Sequence, residues 1–202
     1  ALLKENQEIK NIQPKYNRAL KKTLYTHGLY SKINKDGYIE FRIGSAKQKA
    51  EPITTFTNNM QAKSVLNFII EEYQLCQRLC GLHKTRGACF NYTIKKCKGA
   101  CVKEESPESY NQRAQEVINR YSFNKKNMLV VDRGRNSSEK SVVWVSDGSI
   151  KGIGFFNLNY QIQKLEILEQ VITPIEDNRD ARHIVQAYIR KNEKRIKLID
   201  LN

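Results

Sequence analysis

All five cysteines of this 202-residue chain lie within one stretch of 26 residues, and this clustering constrains the fold more than any other feature. An odd number of cysteines, with no charged-then-apolar signal segment after Ala1, argues against a disulfide framework and predicts a cytoplasmic protein. Few apolar residues surround these cysteines, so we expect them to be poor core residues. Clustered thiols of this kind favour a metal site over unligated cysteines on a basic loop. The five are Cys76, Cys80, Cys89, Cys97 and Cys101.

The same stretch carries an unbalanced charge. Residues 73–103 contain seven basic side chains and no Asp or Glu, within a chain whose net charge is +14. A field this positive attracts polyphosphate, and nucleic acid is the commonest partner of that kind. The sequence therefore predicts nucleic-acid binding by Arg78, Lys84, Arg86, Lys95, Lys96, Lys98 and Lys103.

The order of hydrophobic patterns predicts an α+β fold without a membrane span, since no apolar run approaches the ~20 residues a span needs. In the first part, a helix over 1–12 precedes strands over 24–34 and 38–45 around a Lys35-Asp36-Gly37 turn, and a short strand over 53–56. A helix capped by Asn58 or Asn59 follows, and Ser106-Pro107-Glu108 starts another.

From residue 127 the pattern indicates a separate small α+β domain. Strands are predicted over 128–132, 141–146 and 150–157, helices over 161–172 and 179–191, and a last strand over 195–201. Its loop cations Arg133, Arg135 and Lys140 are expected to be solvated. The three histidines, His183 among them, are isolated and are expected at the surface.

The N-terminal helix resembles the end of the GIY-YIG nuclease domain of the UvrC excision-repair endonucleases. The residues that carry the likeness are Ala1–Lys10, followed by Pro14-Lys15-Tyr16-Asn17. The resemblance implies that Glu5 is the single protein ligand of a catalytic Mg²⁺ or Mn²⁺ and that Asn17, twelve residues later, supports the site. It also implies two tyrosines and an arginine upstream of Glu5, which this chain lacks, so we expect residues 1–202 alone not to cut DNA.

The cysteine stretch resembles the UvrC segment that follows the nuclease domain. Cys89, Cys97 and Cys101 keep the family's intervals, and Tyr92 and Ile94 also match; Ala88, Thr93 and Ala100 depart from it. The resemblance implies that four cysteines hold an iron–sulfur cluster, with Cys76 slightly favoured over Cys80 as the fourth ligand by spacing. A closed zinc site of four thiolates, or of three thiolates and His83, is the alternative.

Residues 8–22 and 79–111 also resemble bacterial proteins that fuse a DnaQ-like exonuclease to a UvrC-like GIY-YIG domain. This implies a DNA-repair endonuclease in the intact protein, with DNA and other repair or replication proteins as partners. The domain boundaries that follow are 1–22 for the end of the nuclease domain, 23–75 for a hairpin and helix connector, 76–121 for the Cys-rich module and 122–202 for an accessory α+β domain. The rival hypotheses are a non-catalytic nucleic-acid-binding module with structural zinc and a purely structural interaction domain.

Overall fold

The computed structural model describes residues 2–13, 15, 25–84, 87–123, 126–157, 170–192 and 194–201. The chain divides into two compact units. Residues 25–122 form one, here called the Cys unit, and residues 1–24 with 123–202 form the other, here called the C-terminal unit. Both contain helices and antiparallel sheet, so the predicted α+β class is confirmed.

The Cys unit begins with a three-stranded antiparallel sheet of order β2-β1-β3. Its strands are β1 (His27–Ile33), β2 (Ile39–Ser45) and β3 (Thr54–Phe56). The Asn34 side chain accepts hydrogen bonds from the backbone N–H groups of Asp36 and Tyr38, and Gly37 takes the left-handed conformation, φ 84°. These contacts close the predicted hairpin turn.

Two helices, α2 (Asn59–Glu72) and α4 (Pro107–Tyr121), pack with that sheet, and the short α3 (Phe90–Thr93) and a 3₁₀ turn (Ala100–Val102) lie between them. Asn58 caps α2 and Ser106 caps α4, as the sequence predicts. One core joins sheet, helices and cysteine stretch. Its largest fully buried members include Leu29, Phe41, Phe56, Leu66, Ile69 and Tyr110.

The C-terminal unit contains a five-stranded antiparallel sheet of order β7-β6-β5-β4-β8. Its elements are β4 (Met128–Arg133), β5 (Glu139–Ser146), β6 (Ser149–Asn157), β7 (Ile172–Pro174), α5 (Arg179–Asn192) and β8 (Lys197–Asp200). Successive β4 side chains alternate between two clusters: Met128 and Val130 join the core that also contains Ala181 and Val185 of α5, whereas Leu129 and Val131 join a second cluster. The two-residue period of a strand therefore covers both faces of this sheet.

Helix α1 (Leu2–Ile12) belongs to the C-terminal unit. Leu3 packs against the core beneath α5, and the Lys10 ammonium lies 3.0 Å from Asp180 and 2.8 Å from the Asn178 side chain. The boundaries predicted from sequence instead separate residues 1–22 from 122–202, and the assignment of 1–22 to a nuclease domain stays a prediction.

Two expectations need correction or fall outside the described residues. Of the predicted helix 161–172, residues 161–169 lie outside the described part, and Ile172 is in β7. His183 is buried rather than at the surface, and burial lowers the pKa of its imidazole to about 4. None of the described helices is both long and apolar enough to cross a membrane.

Candidate metal centre and nucleic-acid interface

The cysteine stretch is a chain of tight turns rather than an extended loop. After α2, the N–H of Cys80 donates to the carbonyl of Cys76 at 2.9 Å, and Cys89 stands at the start of α3. Gly99 then adopts φ 85°, a left-handed conformation that favours glycine, and the turn over 100–102 follows. These turns bring residues that are far apart in sequence to one point in the Cys unit.

Four of the five sulfurs form one contact network. The Cys89 Sγ lies 3.7 Å from the Cys76 Sγ and 3.6 Å from the Cys97 Sγ. The Cys101 Sγ accepts a hydrogen bond of 3.4 Å from the Cys89 backbone N–H, and the sulfurs of Cys76, Cys89 and Cys101 all lie within 4.8 Å of one another. Thiolates so placed can hold a metal ion.

Cys80 is the exception among the five cysteines. Its sulfur is fully buried in the core, 3.9 Å from the Tyr110 hydroxyl. Cys76, not Cys80, lies with Cys89 and Cys101. The expectation that these cysteines are poor core residues is wrong, because Cys76, Cys80, Cys89 and Cys97 are all buried.

Burial also sets the protonation of the thiols. Removal from water raises the pKa of Cys89 and of Cys101 above the ordinary value for a thiol. Without a metal these groups therefore carry their protons at neutral pH. A metal ion that binds here must displace those protons, so its apparent affinity depends on pH.

A basic surface lies beside the sulfurs. Lys95, Lys96 and Lys98 are exposed, and all three line one surface pocket of about 360 Å³ together with Glu71, Gln74, Asn91 and Cys97. The carbonyl of Asn91 accepts hydrogen bonds from the N–H groups of Lys96 (2.7 Å) and Cys97 (3.2 Å). The turn that carries these lysines thus also carries Cys97 and is hydrogen-bonded to α3.

The structure separates the other predicted nucleic-acid contacts. Lys84 is exposed, whereas Lys103 lies 3.0 Å from the Asp36 carboxylate. Arg78 is half-buried and donates to the carbonyls of Gly87 and Cys101. Arg86 lies outside the described residues. Arg78 and Lys103 thus have partners within the protein, which the charge count could not reveal.

The predicted catalytic residues lie in the C-terminal unit. Glu5 is exposed in the first turn of α1, and Asn17 lies outside the described residues. Among the described residues, no group of three or more potential metal ligands includes Glu5. A single carboxylate is what the resemblance implies for the Mg²⁺ or Mn²⁺ site.

Sequence reasoning missed Asn91. This residue is buried, and its carbonyl accepts hydrogen bonds from the backbone N–H groups of Lys96 and Cys97. No side-chain motif signals this role, because a backbone oxygen performs it. It also missed the pair formed by Glu105 and Arg113, which lie 2.7 Å apart beneath the start of α4. An acid just before a helix start is too common to have marked that pair.

Comparisons with known proteins agree with the motif reading. Residues 28–120 match the family described as UvrC/Cho excinuclease, middle domain. The chain is 31% identical over 122 residues to Excinuclease cho of Salmonella typhi, which covers 59% of this chain and 42% of that protein. It is 32% identical over 124 residues to UvrABC system protein C of Fervidobacterium nodosum, covering 59% and 21%. The chain thus spans less than half the length of these relatives, and no solved structure matches it significantly.

Proposed function

We propose that this chain is part of a DNA-repair nuclease and that it binds DNA through the basic surface beside its cysteines. The premise is that it is a UvrC-like family member, matched over its residues 28–120. The relatives named excinuclease and UvrABC system protein C support this class of function. The exonuclease fusion and the further repair partners implied by the resemblance stay predictions.

The observation that carries the proposal is the grouping of Lys95, Lys96 and Lys98 around one pocket. Three exposed ammonium groups on one turn produce a concentrated positive field, and Glu71 is the acid that lines the same pocket. Since the turn is held by backbone hydrogen bonds, the lysines are presented by a fixed element rather than by a loose loop. Such a surface suits the regularly spaced phosphates of DNA.

An exposed apolar side chain of the same stretch offers a second kind of contact. Phe90 is 58% exposed at the start of α3, one residue after a buried cysteine. A ring in this position can stack on an unpaired base, and that contact is independent of base identity. The surface therefore supports binding of DNA with little sequence preference.

Glu5 is proposed as the ligand of Mg²⁺ or Mn²⁺ in the nuclease. The exposed carboxylate at the start of α1 supports this role, and Asn17 is proposed to support the same site. When bound, a divalent cation would neutralise the charge that develops on the phosphoryl and leaving oxygens during phosphodiester hydrolysis. Glu5 would hold it on a helix that Lys10 ties to α5 through Asp180.

A second candidate is a nucleic-acid-binding module without catalysis, whose cysteines hold structural zinc. One observation favours it: the matched family segment, 28–120, and the basic surface both lie in the Cys unit, whereas Glu5 does not. The two candidates share the DNA interface and differ in the role of Glu5.

The interface is tested by replacing Lys95, Lys96 and Lys98 together with Ala and measuring DNA affinity across a range of salt concentrations. Each phosphate contact contributes about −0.9 to the slope of log affinity against log salt. We expect affinity to fall about equally for different DNA sequences and the slope to flatten by about two to three units.

The matched control replaces Arg133, Arg135 and Lys140 of the C-terminal unit, which removes the same charge. Arg135 is already paired with Glu139 at 2.6 Å, so this variant is expected to leave the slope nearly unchanged. The reverse ranking would place the DNA on the C-terminal unit and overturn the proposed interface.

A further inference from the structure

The pocket lined by Lys95, Lys96 and Lys98 contains a group that a site for phosphate alone does not need. The exposed Glu71 of α2 lines the same pocket, and its carboxylate forms no ion pair with any Lys or Arg that the structure describes. Like charges repel, so this carboxylate weakens the binding of a bare phosphate group. The pocket therefore suits a ligand that presents N–H donors as well as an anionic group.

Asn91 adds a buried amide to the pocket. The residue is 6% exposed and lines the pocket, and its side-chain amide has no hydrogen-bond partner among the described residues. Its backbone carbonyl, by contrast, is already occupied by the N–H groups of Lys96 and Cys97. Buried polar groups normally have partners, and an amide supplies both a donor and an acceptor. A ligand that carries a donor and an acceptor side by side, as the edge of a nucleobase does, would satisfy this amide.

The two sides of the pocket are held in place by backbone contacts. Gln74 and Lys95 both line it, and both adopt the left-handed conformation, with φ 50° and 59°, which residues with side chains rarely take. The Arg113 guanidinium donates to the carbonyls of Tyr73 at 2.9 Å and of Gln74 at 3.4 Å. The N–H of Lys95 donates to the Tyr92 carbonyl at 2.9 Å. Backbone of this kind clusters at ligand sites, where the surrounding structure maintains it.

The size of the pocket limits what can enter it. Its volume of about 360 Å³ is at the small end of the range, about 300–1,000 Å³, that is typical of ligand cavities. A base that is stacked and paired within a duplex cannot enter a concave site, so a nucleotide must be unpaired or leave the stack to do so. An unpaired nucleotide brings a phosphate for the lysines and base N–H groups for the carboxylate and the amide.

We infer that this pocket binds one unpaired nucleotide of a DNA strand, with its base edge at Glu71 and Asn91 and its phosphate, with those of its neighbours, at the three lysines. The inference rests on the proposed function and deepens it, because it names the preferred DNA as one that carries an unpaired nucleotide. The lysines supply affinity that is common to all DNA. Glu71 and Asn91 supply the preference for the unpaired nucleotide.

The test compares two DNA duplexes of the same sequence, one fully paired and one with a single unpaired deoxyguanosine. Guanine is chosen because its N1–H and its amino group are adjacent donors that match the two oxygens of a carboxylate. Affinities are measured by fluorescence anisotropy with the full 202-residue chain at one salt concentration. We expect the duplex with the unpaired nucleotide to bind about tenfold more tightly. Equal affinities for the two duplexes would overturn the inference.

Glu71→Ala should remove this preference, and because Glu71 is exposed the variant is expected to fold. Affinity for the duplex with the unpaired nucleotide should fall about tenfold, whereas affinity for the paired duplex should stay the same or rise, since a negative charge is removed. The matched control is Glu72→Ala. The Glu72 carboxylate lies 3.4 Å from the Arg120 guanidinium, and the described pocket does not include it. A preference that survives in Glu71→Ala, or that is lost equally in Glu72→Ala, would contradict the assignment.

A second measurement needs no variant and reports on Asn91 directly. dGMP and inorganic phosphate are added separately to the ¹⁵N-labelled chain, and the Asn91 side-chain amide is followed by NMR. We expect dGMP to shift this amide and the backbone N–H groups of the lysine turn, and inorganic phosphate to shift only the lysine turn. An Asn91 amide that does not respond to dGMP would overturn the inference.

The failure of this inference is distinguishable from that of the proposed function. If both duplexes bind equally and replacement of the three lysines weakens both, the proposed function stands and only this inference fails. If neither duplex binds, the proposed function fails, and the dGMP titration still decides whether the pocket accepts a nucleotide.

Discussion

The guanidinium of Arg78 donates a hydrogen bond of 3.2 Å to the carbonyl oxygen of Cys101, and the same nitrogen reaches the carbonyl of Gly87 at 3.1 Å. One side chain close in sequence to Cys76 therefore holds the backbone of Cys101. Both acceptors are backbone oxygens, so this arginine connects the ends of the cysteine stretch.

Replacing Arg78 with Ala should destabilise the Cys unit by about 1–3 kcal/mol, because two carbonyls lose a charged donor. It should also weaken metal binding, since Cys101 loses its support, and leave the salt slope of DNA binding unchanged. Chemical denaturation and competition with a chelator measure the first two effects. Lys84→Ala, at an exposed site, is the control; equal stability of the two variants would refute the supporting role of Arg78.

Replacing Glu105 with Ala should be more damaging. Its carboxylate, 4% exposed, lies 2.7 Å from the Arg113 guanidinium, which is itself 17% exposed. Removal of one partner leaves a poorly solvated charge, which costs about 3–5 kcal/mol. Urea denaturation should show this loss, whereas Glu116→Ala, an exposed acid on the same helix, should change stability by less than about 0.5 kcal/mol.

Stability of the C-terminal unit should fall as the pH drops from about 6.5 toward 4. Burial lowers the pKa of His183 to about 4 in the folded protein, against 6.5 when exposed, so in this window only the unfolded chain takes up the proton. The free energy of unfolding therefore decreases by about 1.4 kcal/mol per pH unit from this group and is unaffected by it above the window.

The fluorescence of Trp144, the single tryptophan, reports unfolding of this unit. The pH dependence should be flatter in His183→Gln and unchanged in His83→Gln, whose side chain is exposed. An unaltered slope in His183→Gln would show that another group is responsible.

Glu5→Gln separates the proposed nuclease from a binding module. In a form of the protein that carries the remaining residues of the nuclease site, this change should abolish Mg²⁺-dependent cleavage and keep DNA affinity, because it removes a carboxylate ligand and not a lysine. Gel assays of cleavage and of binding measure both. Glu8→Gln, an exposed acid one turn away on α1, is the control; cleavage that survives Glu5→Gln would favour the non-catalytic candidate.

The sequence by itself determined the elements whose signals are local. The Asn58 and Ser106 caps and the turn at Gly37 each depend on a few neighbouring residues, and all lie where the sequence predicts them. The resemblance to the UvrC segment likewise grouped Cys89, Cys97 and Cys101, because their intervals of seven and three residues are the family's.

Tertiary structure decided which distant groups meet. Spacing favoured Cys76 over Cys80 only slightly, because both follow α2 closely; packing places the Cys76 sulfur near Cys89 and the Cys80 sulfur near Tyr110. A charge count likewise treats Arg78 and Lys95 alike, although one is committed to backbone carbonyls and the other lines an open pocket. Composition records which charges and thiols a chain carries, but their partners depend on how the backbone closes around them.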